Sequence, residues 1–309
     1  MTSRDKPAKA TQPAKATQPA KATHPVNEKV RVAFQGELGA YSEEAVGLLF
    51  GDRAEPLPCR EFQEVGSAVD TGTAEYGLLP VENTLAGSVV ASYDVLASQQ
   101  SLVVVGEVIA PIHHCLLGVP GSRLDRIRRA HSHPVALAQC TRFLTSHREI
   151  EAVAVYDTAG AARDVATAAD PTLAAIAGIS AAERYGLTVL AENIEDRPDN
   201  QTRFLAVAHQ DSAVPSWFTD HNMPGKTALL IETSNEPGSL VQVLLPFANR
   251  EINLSKLESR PASQPWTYRF FVELESNASD PNTAEALAEV RRRASALRVL
   301  GSFPRWTPR

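Results

Sequence analysis

Cysteine is scarce in this chain: its 309 residues hold only Cys59, Cys115 and Cys140. They are odd in number and widely spaced, which excludes a disulfide framework and speaks against a structural zinc site. Long hydrophobic runs are missing too. No apolar stretch approaches the roughly 18 residues a transmembrane helix needs, so no membrane partner is expected. Basic clusters are few. The formal net charge of −6 is unevenly spread: within residues 1–24, Arg4, Lys6, Lys9, Lys15 and Lys21 stand against Asp5, a balance of +4, and the remainder is strongly acidic. Such a body lacks the clustered Lys and Arg that phosphate backbones need, which excludes nucleic acid as a partner. The one dense basic run, Arg291-Arg292-Arg293, falls in a helical pattern and reads as a solvated face. No apolar leader segment precedes the body, so the expected location is cytoplasmic and the sequons at Asn200, Asn253 and Asn277 are chance matches.

What is present divides the chain. Pro-Ala-Lys-Ala-Thr-Gln starts at Pro7 and again at Pro13, and a third copy from Pro19 ends in His24. A short period without large apolar side chains buries nothing, so residues 1–27 read as a disordered tail. From Val30, short apolar runs (Val30–Phe34, Tyr76–Val81, Leu102–Val105, Ala152–Val155, Ala174–Ala177, Phe204–Val207) alternate with helical stretches (Tyr41–Phe50, Phe62–Thr71, Ser88–Ser98, Pro134–His147, Thr158–Ala168). This predicts an α/β domain over 28–209 with largely parallel sheets and a ligand at the strand ends. Residues 210–225, with Pro215 and Pro224, read as a linker. Over 226–305 the pattern is βαββαβ, a ferredoxin-like unit with both helices on one face. Pro246 should kink its first helix or end it early.

Four polar segments lie where strands end or begin. Gly36 to Ser42 joins the first strand to the first helix; it suits either a tight turn or a carboxylate site on helix N–H groups, and it lacks the third glycine of a dinucleotide fingerprint. Glu82-Asn83-Thr84 places three hydrogen-bonding side chains at a strand end, as a polar small-molecule site or a helix cap. His131-Ser132-His133-Pro134 opens a helix, and Gln139 shares a helix face with Val135. Two histidines there suggest metal or a Ser-His nucleophile only weakly. His113-His114 sit side by side on a strand-like run, where their side chains diverge. Asn200-Gln201-Thr202-Arg203-Phe204 leads into the last strand of the domain.

In this order the segments resemble the signatures of prephenate dehydratase, and Glu236-Pro237-Gly238-Ser239-Leu240-Val241 with Glu258-Ser259-Arg260-Pro261 look like the two phenylalanine-binding loops of that family's ACT domain. The resemblance spans about residues 30–305; Val135, where the family usually has Gln, and Pro246 depart from it. It implies a two-lobed catalytic domain, like a periplasmic binding protein, followed by the ACT domain. It implies elimination of water and carbon dioxide from prephenate to give phenylpyruvate, or the same elimination on arogenate. Because aromatisation drives that reaction, neither cofactor nor metal is implied. By resemblance, Thr202 donates to the departing hydroxyl, with Asn83, Ser132 and Gln139 completing the catalytic set. Gly39, Ala40, Tyr41, Ser42, Glu82, Thr84, Arg203 and Phe204 would bind substrate, with a structural ion pair the equal alternative for Arg203. Gly238, Ser239, Leu240, Glu258, Ser259, Arg260 and Pro261 would bind L-phenylalanine as allosteric effector in a homodimer or homotetramer. An amino-acid sensor on the same scaffold is the non-catalytic alternative.

Overall fold

The computed structural model describes residues 29–212, 225–262 and 264–307. The repeat tail and most of the expected linker lie outside the described residues.

The first lobe is built from β1 (Val30–Gln35), α1 (Tyr41–Phe50), β2 (Ala54–Cys59), α2 (Phe62–Asp70), β3 (Tyr76–Asn83), β4 (Gly87–Ser88), α3 (Val90–Ser98) and β5 (Leu102–Pro111). The chain then crosses to a second lobe of β6 (Cys115–Gly118), β7 (Arg129–Ser132), α4 (Pro134–Ala138), α5 (Thr141–Ser146), β8 (Glu151–Ala154), α6 (Thr158–Ala168), β9 (Leu173–Ala177), α7 (Ile179–Tyr185) and β10 (Thr188–Ala191). It crosses back as β11 (Gln201–His209), which inserts between β3 and β5. The sheet orders are β2-β1-β3-β11-β5 and β10-β6-β9-β7-β8.

The expectation of largely parallel sheets holds only in part. β1, β2 and β3 are mutually parallel, as are β7, β8 and β9. β11 runs antiparallel to both neighbours because it re-enters the first lobe from the second, and β6 opposes β9 and β10. β2 carries Pro56 and Pro58, which hide it from propensity; it is tolerated because β2 is an edge strand.

One expected helix is broken. Pro134–His147 splits into α4 and α5 around Gln139 and Cys140. Asp196 makes the break: its backbone N–H donates to Gln139 O (2.6 Å), and its carboxylate accepts from Thr141 N and Arg142 N (3.1 and 2.8 Å). The carboxylate thus caps the N-terminus of α5, and Gln139 closes α4 with its backbone N–H still bonded to Val135 O (3.1 Å).

The third unit comprises β12 (Gly225–Glu232), α8 (Ser239–Ala248), β13 (Leu254–Pro261), β14 (Tyr268–Leu274), α9 (Pro281–Arg293) and β15 (Ala296–Pro304), with antiparallel order β13-β14-β12-β15. One sheet face packs Leu229, Ile231, Val272 and Leu274 against Val243, Phe247, Leu287 and Val290 of the helices. The other face supplies Ala228, Leu230, Phe271, Leu300 and Phe303 to the core of the first lobe, beside Leu79, Tyr93 and Val104. Gly301 packs against the first lobe with no room for a side chain: a Cβ would lie 2.0 Å from the Val104 carbonyl oxygen. α8 ends two residues after Pro246. Proline has no N–H for the Gln242 carbonyl, and Arg293 Nη1 donates to that oxygen instead (2.9 Å). Arg293 is therefore a bonded strut rather than part of a purely solvated face.

Candidate active site

The register of β3 with β11 sets Thr202 opposite Asn83 and Arg203 opposite Glu82. Side chains alternate across a strand, so the two pairs face opposite ways. Asn83 and Thr202 look toward the second lobe. Asn83 Nδ2 donates to Thr202 Oγ1 (3.0 Å) and to Asn200 Oδ1 (2.8 Å), and Gln139 Nε2, from the second lobe, reaches Asn83 Oδ1 at 3.4 Å. Asn200 is fully buried and donates to Gln139 Oε1 (3.0 Å). These side chains form a neutral polar cluster at the junction of the lobes. Beside it lies a cavity of about 460 Å³ lined by Thr84, Leu85, Ala86, Val135, Gln139 and Arg197, among others. Val135, 42% exposed, gives it an apolar wall.

Arg203 and Glu82 face the other way, toward the third unit, which corrects their expected role in substrate binding. Arg203 holds Glu273 of β14 through both terminal nitrogens (2.8 and 2.9 Å) and Glu107 of β5 at 3.2 Å. Lys226 bonds Glu107 (2.9 Å), and Lys256 bonds Glu82 (3.0 Å). Burial works against the Arg203 charge, yet Glu273 and Glu107 raise the group above its ordinary value and keep it cationic. For Glu82, burial acts upward and the bond from Lys256 downward; the net direction is down.

Other expected site residues also fall elsewhere. Ser132 is fully buried, and its hydroxyl donates to Ile176 O (2.6 Å) on β9, so its proton is committed to the fold. Phe204 is sealed in the core of the first lobe. Thr84 ties the end of β3 to the start of β11, donating to Asp199 O and accepting from Gln201 N. In the Gly39–Ser42 segment, Gly39 N donates to Glu43 Oε2 (2.5 Å), so one expected anion donor is already occupied. Gly39 has φ +89°, and a Cβ there would come within 3.0 Å of Ala181 Cα in the second lobe. Ala40 packs into the second lobe's core, and the Tyr41 hydroxyl lies within hydrogen-bond reach of both His113 O (2.9 Å) and His114 Nδ1 (2.7 Å), with one hydrogen to give. The two histidines diverge, His113 to Glu195 (2.8 Å) and His114 to Gln139 (2.9 Å).

The effector segments sit at one end of the third sheet. Gly238, at φ +85°, precedes α8, Ser239 Oγ donates to Glu236 O, and Leu240 packs against the core. Glu258 to Pro261 form the end of edge strand β13, not a loop. Glu258 accepts from Ser88 (2.6 Å) and Arg260 bonds Asp94 (3.3 Å), both toward the first lobe, while Ser259 and Pro261 are exposed.

The prephenate dehydratase family profile matches residues 32–212, and the ACT domain profile matches 227–292. The chain belongs to the prephenate dehydratase family. It is 41% identical over 293 residues to arogenate dehydratase 5, chloroplastic, of Arabidopsis thaliana, covering 89% of this chain and 67% of that protein. Among solved structures it resembles a prephenate dehydratase in complex with L-Phe from Arthrobacter aurescens, with 33% identity, TM-score 0.81, and 89% and 90% of the two chains covered. It also resembles GqqA, described as a quorum quenching acylase, with 35% identity, TM-score 0.81, and 89% and 98% covered. The chain is thus a two-lobed dehydratase of the prephenate/arogenate class, belonging to phenylalanine biosynthesis, and its third unit is an ACT domain.

Residues outside the four sequence segments complete this polar cluster. His114 was visible as one of a histidine pair, and Asp196 gave no sequence signal. Both are placed by crossing between the lobes.

Proposed function

We propose that this dehydratase converts prephenate to phenylpyruvate, with Thr202 donating the hydrogen bond that eases the ring hydroxyl away as carbon dioxide leaves. One observation carries the reading. Thr202 Oγ1 accepts from Asn83, so the single hydroxyl hydrogen of Thr202 is left to donate. A threonine is too weak an acid for full proton transfer; a positioned donor that strengthens as charge develops on the leaving oxygen fits it. Asn83 spends both amide hydrogens on Thr202 and Asn200 and so positions the hydroxyl, while Gln139 keeps one N–H free; a donor of this kind contributes on the order of 3 kcal/mol to a transition state. The N–H groups of Tyr41 and Ser42 at the start of α1 offer a place for a substrate carboxylate. The name of the Arabidopsis relative supports a second reading, the same elimination on arogenate. Acyl transfer draws no support from the cluster: Ser132 is committed to Ile176, Thr202 has an amide rather than a base as partner, and burial pushes the Cys140 thiol far up.

Regulation belongs to the same proposal. L-phenylalanine binds the ACT domain near Gly238–Leu240 and the exposed Ser259 and Pro261, in an oligomer formed through the β13 edge, where Leu257 is exposed as are Val241 and Leu245 of α8. The test is turnover of prephenate and arogenate side by side by parent and Thr202→Ala, with and without phenylalanine under light scattering. The variant should lose about 10²–10³-fold in kcat. Near-parental turnover would overturn the role of Thr202, and the preferred substrate decides between the two readings.

A further inference from the structure

Hydrogen-bond direction in the cluster is dictated by two backbone groups. Leu85 N and Ala86 N donate to Asn83 Oδ1 (2.9 and 2.8 Å), and a backbone N–H cannot accept. The Asn83 amide is thereby oriented with Nδ2 as donor to Asn200 Oδ1. Asn200 must then present Nδ2 to Gln139, so the oxygen of Gln139 is the acceptor. His114 Nε2 lies 2.9 Å from that same oxygen and must carry a proton. Burial disfavours a charged ring, lowering the His114 pKa, so the other nitrogen, Nδ1, is bare, and the Tyr41 hydroxyl gives its one hydrogen to that nitrogen at 2.7 Å rather than to the more distant His113 O at 2.9 Å. Donation thus runs inward from both ends, from the turn after β3 through Asn83 and Asn200 and from Tyr41 through His114, and meets at the Gln139 oxygen without a charged group.

We propose that His114, held as the neutral Nε2–H tautomer, is a positioning residue that keeps the Gln139 amide with its oxygen inward and its NH₂ toward Asn83 and the cavity. Gln139 is the C-terminal cap of α4, its backbone N–H bonded to Val135 O, so the orientation of its side-chain amide is set by the groups around it. Asn200 and His114 are the two donors that hold its oxygen, and both are buried. Without the His114 N–H, the Gln139 amide loses half of that restraint, and flipping it would turn its NH₂ against the NH₂ of Asn200. The ring nitrogen does not touch the leaving group in this arrangement; it acts through the amide. The catalytic consequence rests on the dehydratase reading above, whereas the tautomer does not.

Two measurements test this. In the full chain with ¹⁵N-labelled histidine, two-dimensional NMR should show His114 protonated at Nε2 and bare at Nδ1 at neutral pH. The opposite tautomer overturns the proposal whatever the substrate proves to be. In kinetics, His114→Leu should lower kcat by about 100-fold, the cost of a misplaced group, with KM changed far less. His114→Gln, which returns an N–H near the Nε2 position, should recover most of the loss. A folded His114→Leu enzyme with parental kcat, or a Gln variant no better than Leu, overturns the positioning role. Should His114→Leu not fold, the parent tautomer and the Gln variant decide. A parent inactive on prephenate and arogenate alike would refute the dehydratase reading while the tautomer result stands.

Discussion

Arg203 grips Glu273 through two guanidinium nitrogens at 2.8 and 2.9 Å, while the preceding residue, Thr202, faces the cleft. Adjacent residues of β11 therefore serve two domains, and their partners on β3, Asn83 and Glu82, divide in the same way. Glu273→Ala removes the bidentate partner of a buried guanidinium. The expected cost is on the order of 3 kcal/mol, read from urea denaturation, together with a fall in turnover although Glu273 lies behind the cleft. Parental stability and turnover in this variant would show that the pair is dispensable.

Gly301 lets the ACT sheet approach the first lobe backbone to backbone. A Cβ there meets a backbone oxygen, which cannot rotate away. Gly301→Ala should destabilise by about 3 kcal/mol, the upper range for overpacking, because β15 must lift from β5. An unchanged denaturation midpoint would contradict this packing.

Glu195 carries a pH dependence. Its side chain is 2% exposed. Burial pushes the carboxyl up, but the bonds from His113 and from the His114 backbone N–H outweigh it and hold the pKa below the ordinary value. The unfolded carboxyl, near pH 4.3, takes up its proton first as pH falls. The stabilisation is therefore complete above that value and is lost as pH drops through the lower folded value. The stability gap between parent and Glu195→Gln, measured by denaturation, should narrow below roughly pH 4; a gap that widens on acidification would reverse the sign.

Arg293 and Pro246 form a thermodynamic pair. In the parent, Arg293→Ala leaves the Gln242 carbonyl without its guanidinium donor, costing roughly 1–3 kcal/mol. With Pro246→Ala, the backbone N–H returns to that oxygen, and losing Arg293 should cost less. A double-mutant cycle should give a non-zero coupling; strict additivity would show that Arg293 does not replace the missing N–H.

Much of the fold was legible. α1 and the helical registers of α2 and α6 follow the apolar spacing closely, and βαββαβ was plain because that unit alternates cleanly. β2 was hidden by its prolines, and the break at Gln139 by Asp196, 57 residues further along the chain. At the site, Asn83, Thr202 and Gln139 do converge. Arg203 and Phe204 do not join them, and strand periodicity already forbade Arg203 from sharing a face with Thr202. Neighbouring polar residues in a motif suggested one shared ligand, although alternate residues of a strand serve different surfaces. His114 and Asn200 escaped because their importance lies in donor and acceptor order, which appears only when both lobes are folded together.

The shared core between the ACT sheet and the first lobe has a biochemical corollary. Phe271 and Leu230 are interior residues of the catalytic half as much as of the regulatory one. Scission of the peptide chain anywhere within 213–224 should leave two fragments that co-migrate under native conditions and separate only in denaturant.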